Sequence, residues 1–141
     1  MKKVLNGKMY DTDTATLMAV WRNMGDTRNF SYCEETLYRK RTGEYFLYGY
    51  GGPMTKYAVS TGSNSWSGGE MIIPLTLSAA QEWAEEHLDG DEYQKIFGEV
   101  SEDGSRTVLS VSLPASVASR IRMLASEKGV SVSALIAETF A

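Results

Sequence analysis

In the first hundred residues, segments with strand-like alternation of apolar and polar positions are interspersed with segments of helical spacing. The dipeptide Asn6-Gly7 separates two alternating segments, which is the strongest short-range signal of a β-hairpin. A second hairpin is predicted around Thr42-Gly43, between the segment that starts at Glu35 and the aromatic run that ends at Tyr50. Two hairpins of this kind predict a largely antiparallel sheet.

Helices are predicted in two parts of the same region. Apolar residues recur at helical intervals over 13–25, and Gly25 is a plausible stop for a helix there. Residues 55–75 predict a short strand, a Gly/Ser-rich loop and then an apolar strand. A helix is expected from Leu77, capped by Thr76 or Ser78, and a further helical turn or two over 91–97. The apolar face of the helix that starts at Leu77 is predicted to comprise Leu77, Ala80, Ala84 and Leu88.

The C-terminal part of the chain predicts one strand followed by two short helices. The stretch "VLSVSLP" alternates strictly, and the helix after Pro114 is expected to stop at Gly129, with Ser131 as N-cap of the next helix. A unit of about 36 residues is too small to bury a core alone, and its single strand has an open edge. We therefore expect an obligate homodimer. Its core would contain Leu109, Val111, Leu113, Ile121, Leu124, Leu135, Ile136 and Phe140.

These elements predict an α+β protein with two modules. Residues 1–98 would form a small antiparallel sheet with helices, 99–105 a linker rich in Gly, Ser and acidic residues, and 106–141 the dimerisation module. The net charge of −4 is unevenly distributed: residues 105–141 carry four basic and two acidic side chains, whereas residues 82–103 carry nine acidic side chains and one basic. Such an asymmetry suggests modules with different partners.

Composition narrows the function classes. The chain has 141 residues, 43% of them apolar, which is enough for a core. A single cysteine allows no intramolecular disulfide, and neither a signal peptide nor a membrane span is recognisable, so we expect a cytoplasmic protein.

The chain offers little for enzyme chemistry. His87 and Cys33 are the only residues of their types, and together they cannot form a convincing nucleophile–base pair or zinc site. We predict no enzyme, no catalytic residue, no metal and no cofactor, with His87 on the surface and Cys33 buried. A carboxylate pair among Asp11, Glu44 and Glu70 keeps a small hydrolase as an alternative.

The acidic segment is the candidate surface for a protein partner. The alternative is a solvated helix face without a partner. The candidate residues are Glu82, Glu85, Glu86, Asp89, Asp91 and Glu92.

The stretches "LSVSLP", "SRIRMLASEKG" and "VSVSALIAETF" resemble the ribbon-helix-helix family, the Arc, MetJ and CopG type of repressor. The resemblance covers about a quarter of the chain and implies that a two-stranded ribbon enters the DNA major groove. It also implies that the start of the second helix binds a phosphate. Val108 departs from the pattern, since many members have a basic or amide side chain there. The implied DNA-binding residues are Arg106, Val108, Ser110, Ser112, Val130, Ser131 and Ser133.

Most of residues 4–100, including "NGKMYDT" and "WAEEHLDGDEYQKIFGEV", are similar to small proteins of Gram-positive mobile elements that accompany anti-CRISPR genes. This resemblance implies a phage or mobile-element protein: an autorepressor whose acidic domain inhibits a partner, expected to be a CRISPR–Cas effector. Two alternatives remain open. One is an antitoxin, since HicB-type antitoxins share this domain order, and the other is a plain ribbon-helix-helix transcriptional regulator.

Overall fold

The computed structural model describes residues 1–105, 109 and 111–141 of the chain. The chain divides into two compact units, residues 1–110 and residues 111–141. The protein has a mixed α+β fold, as the sequence predicts. No helix in these described ranges is long and apolar enough to cross a membrane.

The first unit is built on a four-stranded antiparallel sheet with the strand order β3-β4-β5-β8. Two smaller hairpins, β1-β2 and β6-β7, and two helices complete it. The strands are β1 (Lys2–Leu5), β2 (Lys8–Asp11), β3 (Thr16–Arg22), β4 (Cys33–Arg39), β5 (Tyr45–Gly51), β6 (Val59–Gly62), β7 (Ser65–Ser67) and β8 (Gly69–Leu75). The helices are α1 (Leu77–His87) and α2 (Gly90–Phe97).

Both predicted hairpins are confirmed. Asn6 and Gly7 have φ values of 52° and 78°, and positive φ at both central residues is what the tight turn between β1 and β2 requires. β4 and β5 pair in register from Cys33↔Gly51 to Arg39↔Tyr45.

The predicted helix over 13–25 is wrong, because this segment contains β3. The pairing of β3 with β4 shifts in register between Leu17 and Ala19, which marks a β-bulge or similar irregularity. The irregularity interrupts strict alternation, and Met18, Ala19 and Trp21 all join the core on the helix side of the sheet. A strand with such an interruption has apolar spacing like that of a helix.

The predicted Gly/Ser-rich loop contains a second strand. β6 and β7 pair across a turn in which Asn64 has a φ of 58°, so the segment is a hairpin rather than an irregular loop. Its residues 59–68 carry no charge, and Trp66 is 59% exposed.

The two faces of the sheet bury different cores. On one face, Leu37 and Leu47 pack against Ala80, Trp83 and other residues of α1 and α2. On the opposite face, Phe46 is fully buried beneath the β1-β2 hairpin, in an edge contact with Tyr10 and a stacked contact with Tyr38. These two cores fix the sheet between the helices and the first hairpin.

Helix α1 begins where the sequence predicts, and the cap is Thr76, whose side chain accepts a hydrogen bond from the Ala79 backbone N–H at 3.1 Å. Its buried face differs in part from the prediction. Ala80 and Ala84 are buried as expected, but Leu77 is 44% exposed and Trp83 is buried instead.

The second unit consists of two capped helices, α3 (Ala115–Lys128) and α4 (Val132–Phe140). Gly129 ends α3 in the left-handed conformation, with φ of 67°, as predicted. Ser131 caps α4 by accepting a hydrogen bond from the Ala134 N–H at 3.0 Å, also as predicted.

The predicted strand before α3 is not formed within the single chain in its described residues. Leu109 and 111–113 lie outside any strand, while Arg106, Val108 and Ser110 lie outside the described residues. The predicted ribbon pairs two chains, so a single chain holds no partner for it. The ribbon therefore stays a prediction.

Most of the predicted dimer core is exposed in the single chain. Only Ala125 and Leu135 are buried among residues 111–141 of the single chain. The exposed members of the predicted dimer core are Leu109, Val111, Leu113, Leu124, Ile136 and Phe140.

Candidate functional site

A cleft of about 640 Å³ opens on the helix side of the sheet in the first unit. Its walls come from β3, β4, α1 and the segment that follows β5. The lining residues are Trp21, Asn23, Ser31, Cys33, Glu35, Leu47, Met54, Thr55, Lys56, Leu75, Ala79, Glu82, Trp83, Glu86 and His87.

Glu35 lines this cleft and is only 1% exposed. Three donors bind its carboxylate: the Tyr57 hydroxyl at 2.5 Å, the Lys56 ammonium at 2.8 Å and the Trp83 indole N–H at 3.2 Å. The His87 Nε2 atom lies 3.8 Å from the same carboxylate. A buried carboxylate needs several hydrogen-bond donors of this kind, because an unpaired buried charge strongly destabilises the folded state.

The donors also determine the charge state of Glu35. Burial alone would raise the pKa of its carboxyl, but the hydrogen bonds from Lys56, Tyr57 and Trp83 outweigh burial and lower it. The pKa of Tyr57 is raised well above its usual value, first by burial and then by its bond to the Glu35 carboxylate. Glu35 is thus ionised at neutral pH, and the Tyr57 hydroxyl stays protonated and donates its hydrogen bond to the carboxylate.

Tyr57 reaches Glu35 because β5 has a glycine at the crossing point. A Cβ atom added to Gly49 would occupy the space of the Tyr57 hydroxyl group. Gly49 pairs with Glu35 across the β4-β5 ladder, so the missing side chain is directly beside the carboxylate. This glycine is needed for a close approach rather than for a turn.

His87 is not on the surface, contrary to the prediction from the sequence. Its side chain is 14% exposed and packs against two indoles, with ring centroids 4.1 Å from Trp21 and 5.3 Å from Trp83. The acidic neighbours of His87 along α1 suggested a solvated position, but the end of α1 turns it towards the sheet.

Cys33 is buried, as predicted, and lines the cleft. Burial raises the pKa of its thiol, and the nearby negative charge of Glu35 raises it further. A thiol in this setting stays protonated, which is the opposite of what an activated nucleophile requires.

The three carboxylates that the sequence offers for a hydrolase lie elsewhere in the first unit. Glu44 forms an ion pair with Lys8 at 3.0 Å, Glu70 accepts a hydrogen bond from Tyr48, and Asp11 lies 3.9 Å from Lys2. Within the described residues, no group of three His, Cys, Asp or Glu side chains is placed to hold a metal ion.

The six predicted partner-binding carboxylates are all exposed on α1, α2 and the turn between them. Asp89 also has a structural role as N-cap of α2, since it accepts the Glu92 N–H at 2.9 Å. Glu82 and Glu86 line the cleft, whereas the other four carboxylates do not.

Of the predicted DNA-binding residues, Ser112, Val130, Ser131 and Ser133 are described, and all are exposed. They belong to the second unit.

Sequence reasoning missed Glu35 and the donors that surround it. The signal that was present is the alternation of β4, in which Glu35 occupies an inward position between Cys33 and Leu37. A carboxylate at an inward strand position indicates a buried partner set, but the partners Lys56, Tyr57 and Trp83 lie far away in the sequence.

No protein-family model, curated protein or solved structure matches this chain.

Replacing Gly49 with alanine should lower the free energy of unfolding by about 2–3 kcal/mol, because the new Cβ displaces the Tyr57 hydroxyl from Glu35. Urea unfolding followed by tryptophan fluorescence measures this, since all three tryptophans lie in the first unit. The matched control is Gly25→Ala, where an added Cβ meets nothing within 4 Å. Equal stability of the two variants would contradict the role given to Gly49.

Replacing Glu35 with glutamine should destabilise the protein by about 2 kcal/mol at pH 7, because charge-assisted hydrogen bonds are lost. The folded state lowers the pKa of Glu35, so its contribution is present above about pH 4.3, the usual value for glutamate. It is lost as the pH falls through the lower pKa of the folded state. Urea unfolding between pH 7 and pH 3 should show the wild-type advantage shrinking in acid. Glu85→Gln, at an exposed position of α1, should change nothing, and a constant difference for Glu35→Gln across this range would refute the assignment.

Proposed function

We propose that this chain is a dimeric DNA-binding autorepressor from a phage or mobile element, and that its acidic N-terminal domain binds and inhibits a protein partner. The observation that carries the proposal is the apolar surface of the second unit. Six of the eight predicted dimer-core residues are exposed, and five of these belong to the second unit, in which only Ala125 and Leu135 are buried.

A second copy of the chain is the occupant that best fits this surface. A unit of 31 residues with two buried side chains cannot be stable by its own core. The exposed apolar positions include Leu109, Val111 and Leu113 before α3, which are residues that an antiparallel ribbon between two copies would cover. Dimerisation would bury the ribbon residues and the apolar positions of α3 and α4 together.

Binding of DNA follows from the resemblance to ribbon-helix-helix repressors and is supported by two features of the second unit. Residues 105–141 carry more basic than acidic side chains, in contrast to the rest of the chain. Ser112 is exposed and available to a groove, and α4 begins at a capped N-terminus close to Ser133. Arg106, Val108 and Ser110, the other proposed base readers, lie outside the described residues.

Inhibition of a partner is assigned to the first unit because its exposed carboxylates are concentrated on α1, α2 and their junction. An acidic surface competes with phosphates for the lysines and arginines of a nucleic-acid channel. A CRISPR–Cas effector is the partner we favour. A toxin with a basic surface would be bound by the same charge complementarity. A plain transcriptional regulator would bind neither a Cas effector nor a toxin.

Dimerisation and DNA binding are tested together by Leu124→Asp, which puts a charge on an exposed apolar position of α3. The wild type should migrate at twice the mass of one chain in light-scattering chromatography and bind the DNA upstream of its own gene in a salt-sensitive manner. Leu124→Asp should be monomeric and lose DNA binding by at least about tenfold, because half-site affinity alone remains. Ser119→Asp adds the same charge at an exposed polar position of α3 and should stay dimeric. A monomeric wild type would overturn the dimer, and wild-type DNA binding that is absent or insensitive to salt would overturn the repressor.

Partner inhibition is tested in vivo with the full chain carrying Arg106→Ala and Ser110→Ala, which remove two of the proposed base readers. This variant should still restore plaque formation by a phage that CRISPR interference targets. Combined amide substitutions at the six exposed carboxylates should abolish the restoration, because they remove the charge that competes with phosphate. Neutralisation of a toxin encoded beside the gene, without any effect on interference, would identify an antitoxin. Failure in both assays would leave the plain regulator.

A further inference from the structure

The cleft around Glu35 has an unbalanced charge at its rim. The Lys56 Nζ atom lies 2.8 Å from the Glu35 carboxylate, so this ion pair adds no net charge to the cleft. Glu82 and Glu86 lie one helical turn apart on α1 and both line the cleft. Within the described residues Glu82 forms no ion pair, and the nearest basic group to the Glu86 carboxylate is His87 Nε2 at 4.0 Å. The rim therefore favours a cation.

The walls beside these carboxylates are aromatic and apolar. Trp21 is partly exposed and contacts the His87 ring, which also contacts Trp83. Met54, Leu47 and Leu75 add apolar side chains to the lining. A guanidinium group is the cation best suited to such walls, because it can stack on an indole and pair with a carboxylate at the same time. An ammonium ion is more strongly hydrated and gains less from an aromatic wall.

We propose that the cleft receives an arginine side chain of the inhibited protein partner, held between the Trp21 wall and the carboxylates of Glu82 and Glu86. The volume of about 640 Å³ accommodates this side chain together with adjoining atoms of its own chain. The inference rests on the proposed function, since that function supplies a partner whose nucleic-acid channel exposes arginines. It narrows the acidic surface to two carboxylates and one cleft.

The test is an NMR titration of the full chain with a capped peptide, Gly-Arg-Gly-Arg-Gly-Arg-Gly, and with its lysine counterpart. The chain has three tryptophans, each with one indole N–H signal. The signals of Trp21 and Trp83 should shift with the arginine peptide, whereas Trp66, on the exposed β6-β7 hairpin, should remain fixed. The lysine peptide should bind about threefold more weakly.

Two double variants of equal charge locate the binding site. Glu82→Gln with Glu86→Gln should weaken the arginine peptide about fivefold. Glu99→Gln with Glu102→Gln removes two exposed carboxylates that lie outside both the cleft and the proposed partner-binding set, and should change the affinity less than twofold. All four positions are exposed, so neither pair should disturb folding.

Three results would overturn the cleft proposal: unshifted Trp21 and Trp83 signals, equal loss of affinity in the two double variants, or equal binding of the two peptides. Each of these would leave the proposed function intact, because operator binding and phage protection are measured on the same chain without the peptide. Conversely, peptide binding at the cleft together with failed phage protection would remove the proposed partner and keep the arginine site.

Discussion

The burial of one carboxylate, that of Glu35, is the constraint on which the first unit depends. An ionised group without solvent must be compensated by donors, and here three donors come from two places: α1 supplies Trp83, and the segment after β5 supplies Lys56 and Tyr57. These donors can reach β4 only if the segment after β5 folds back over the sheet. Gly49 provides the space for that return. The ion cluster thus specifies a chain path that apolar packing alone would leave open.

The same constraint produces the cleft. Trp83 must point towards Glu35, and this sets the rotation of α1 about its axis. With that rotation, Glu82 and Glu86 lie on the rim and His87 packs against Trp21. In the sequence, the six exposed carboxylates form one acidic segment. The structure separates them, because two of the six line the cleft and four do not.

Local signals in the sequence predicted local structure well. The Asn6-Gly7 turn, the Thr76 cap and the Gly129 stop are each determined by one or two residues, and all are confirmed. β3 was missed because its register irregularity breaks the alternation on which strand prediction depends. The Glu35 cluster was missed for another reason. Its members are 21 to 52 positions apart from Glu35, and only the folded sheet brings them together.

The two units place opposite demands on charge, and this bears on how a repressor and an inhibitor can share a chain. A domain rich in carboxylates is repelled by DNA, so the proposed operator contacts must be confined to residues 105–141, which carry more basic than acidic side chains. In the proposed dimer each assembly carries two clefts, one per copy. Capture of a partner with two accessible arginines then becomes an intramolecular event after the first contact, provided that the residues between the units span the distance. Dimerisation would in that case strengthen inhibition as well as repression, and a single apolar surface on α3 and α4 would control both.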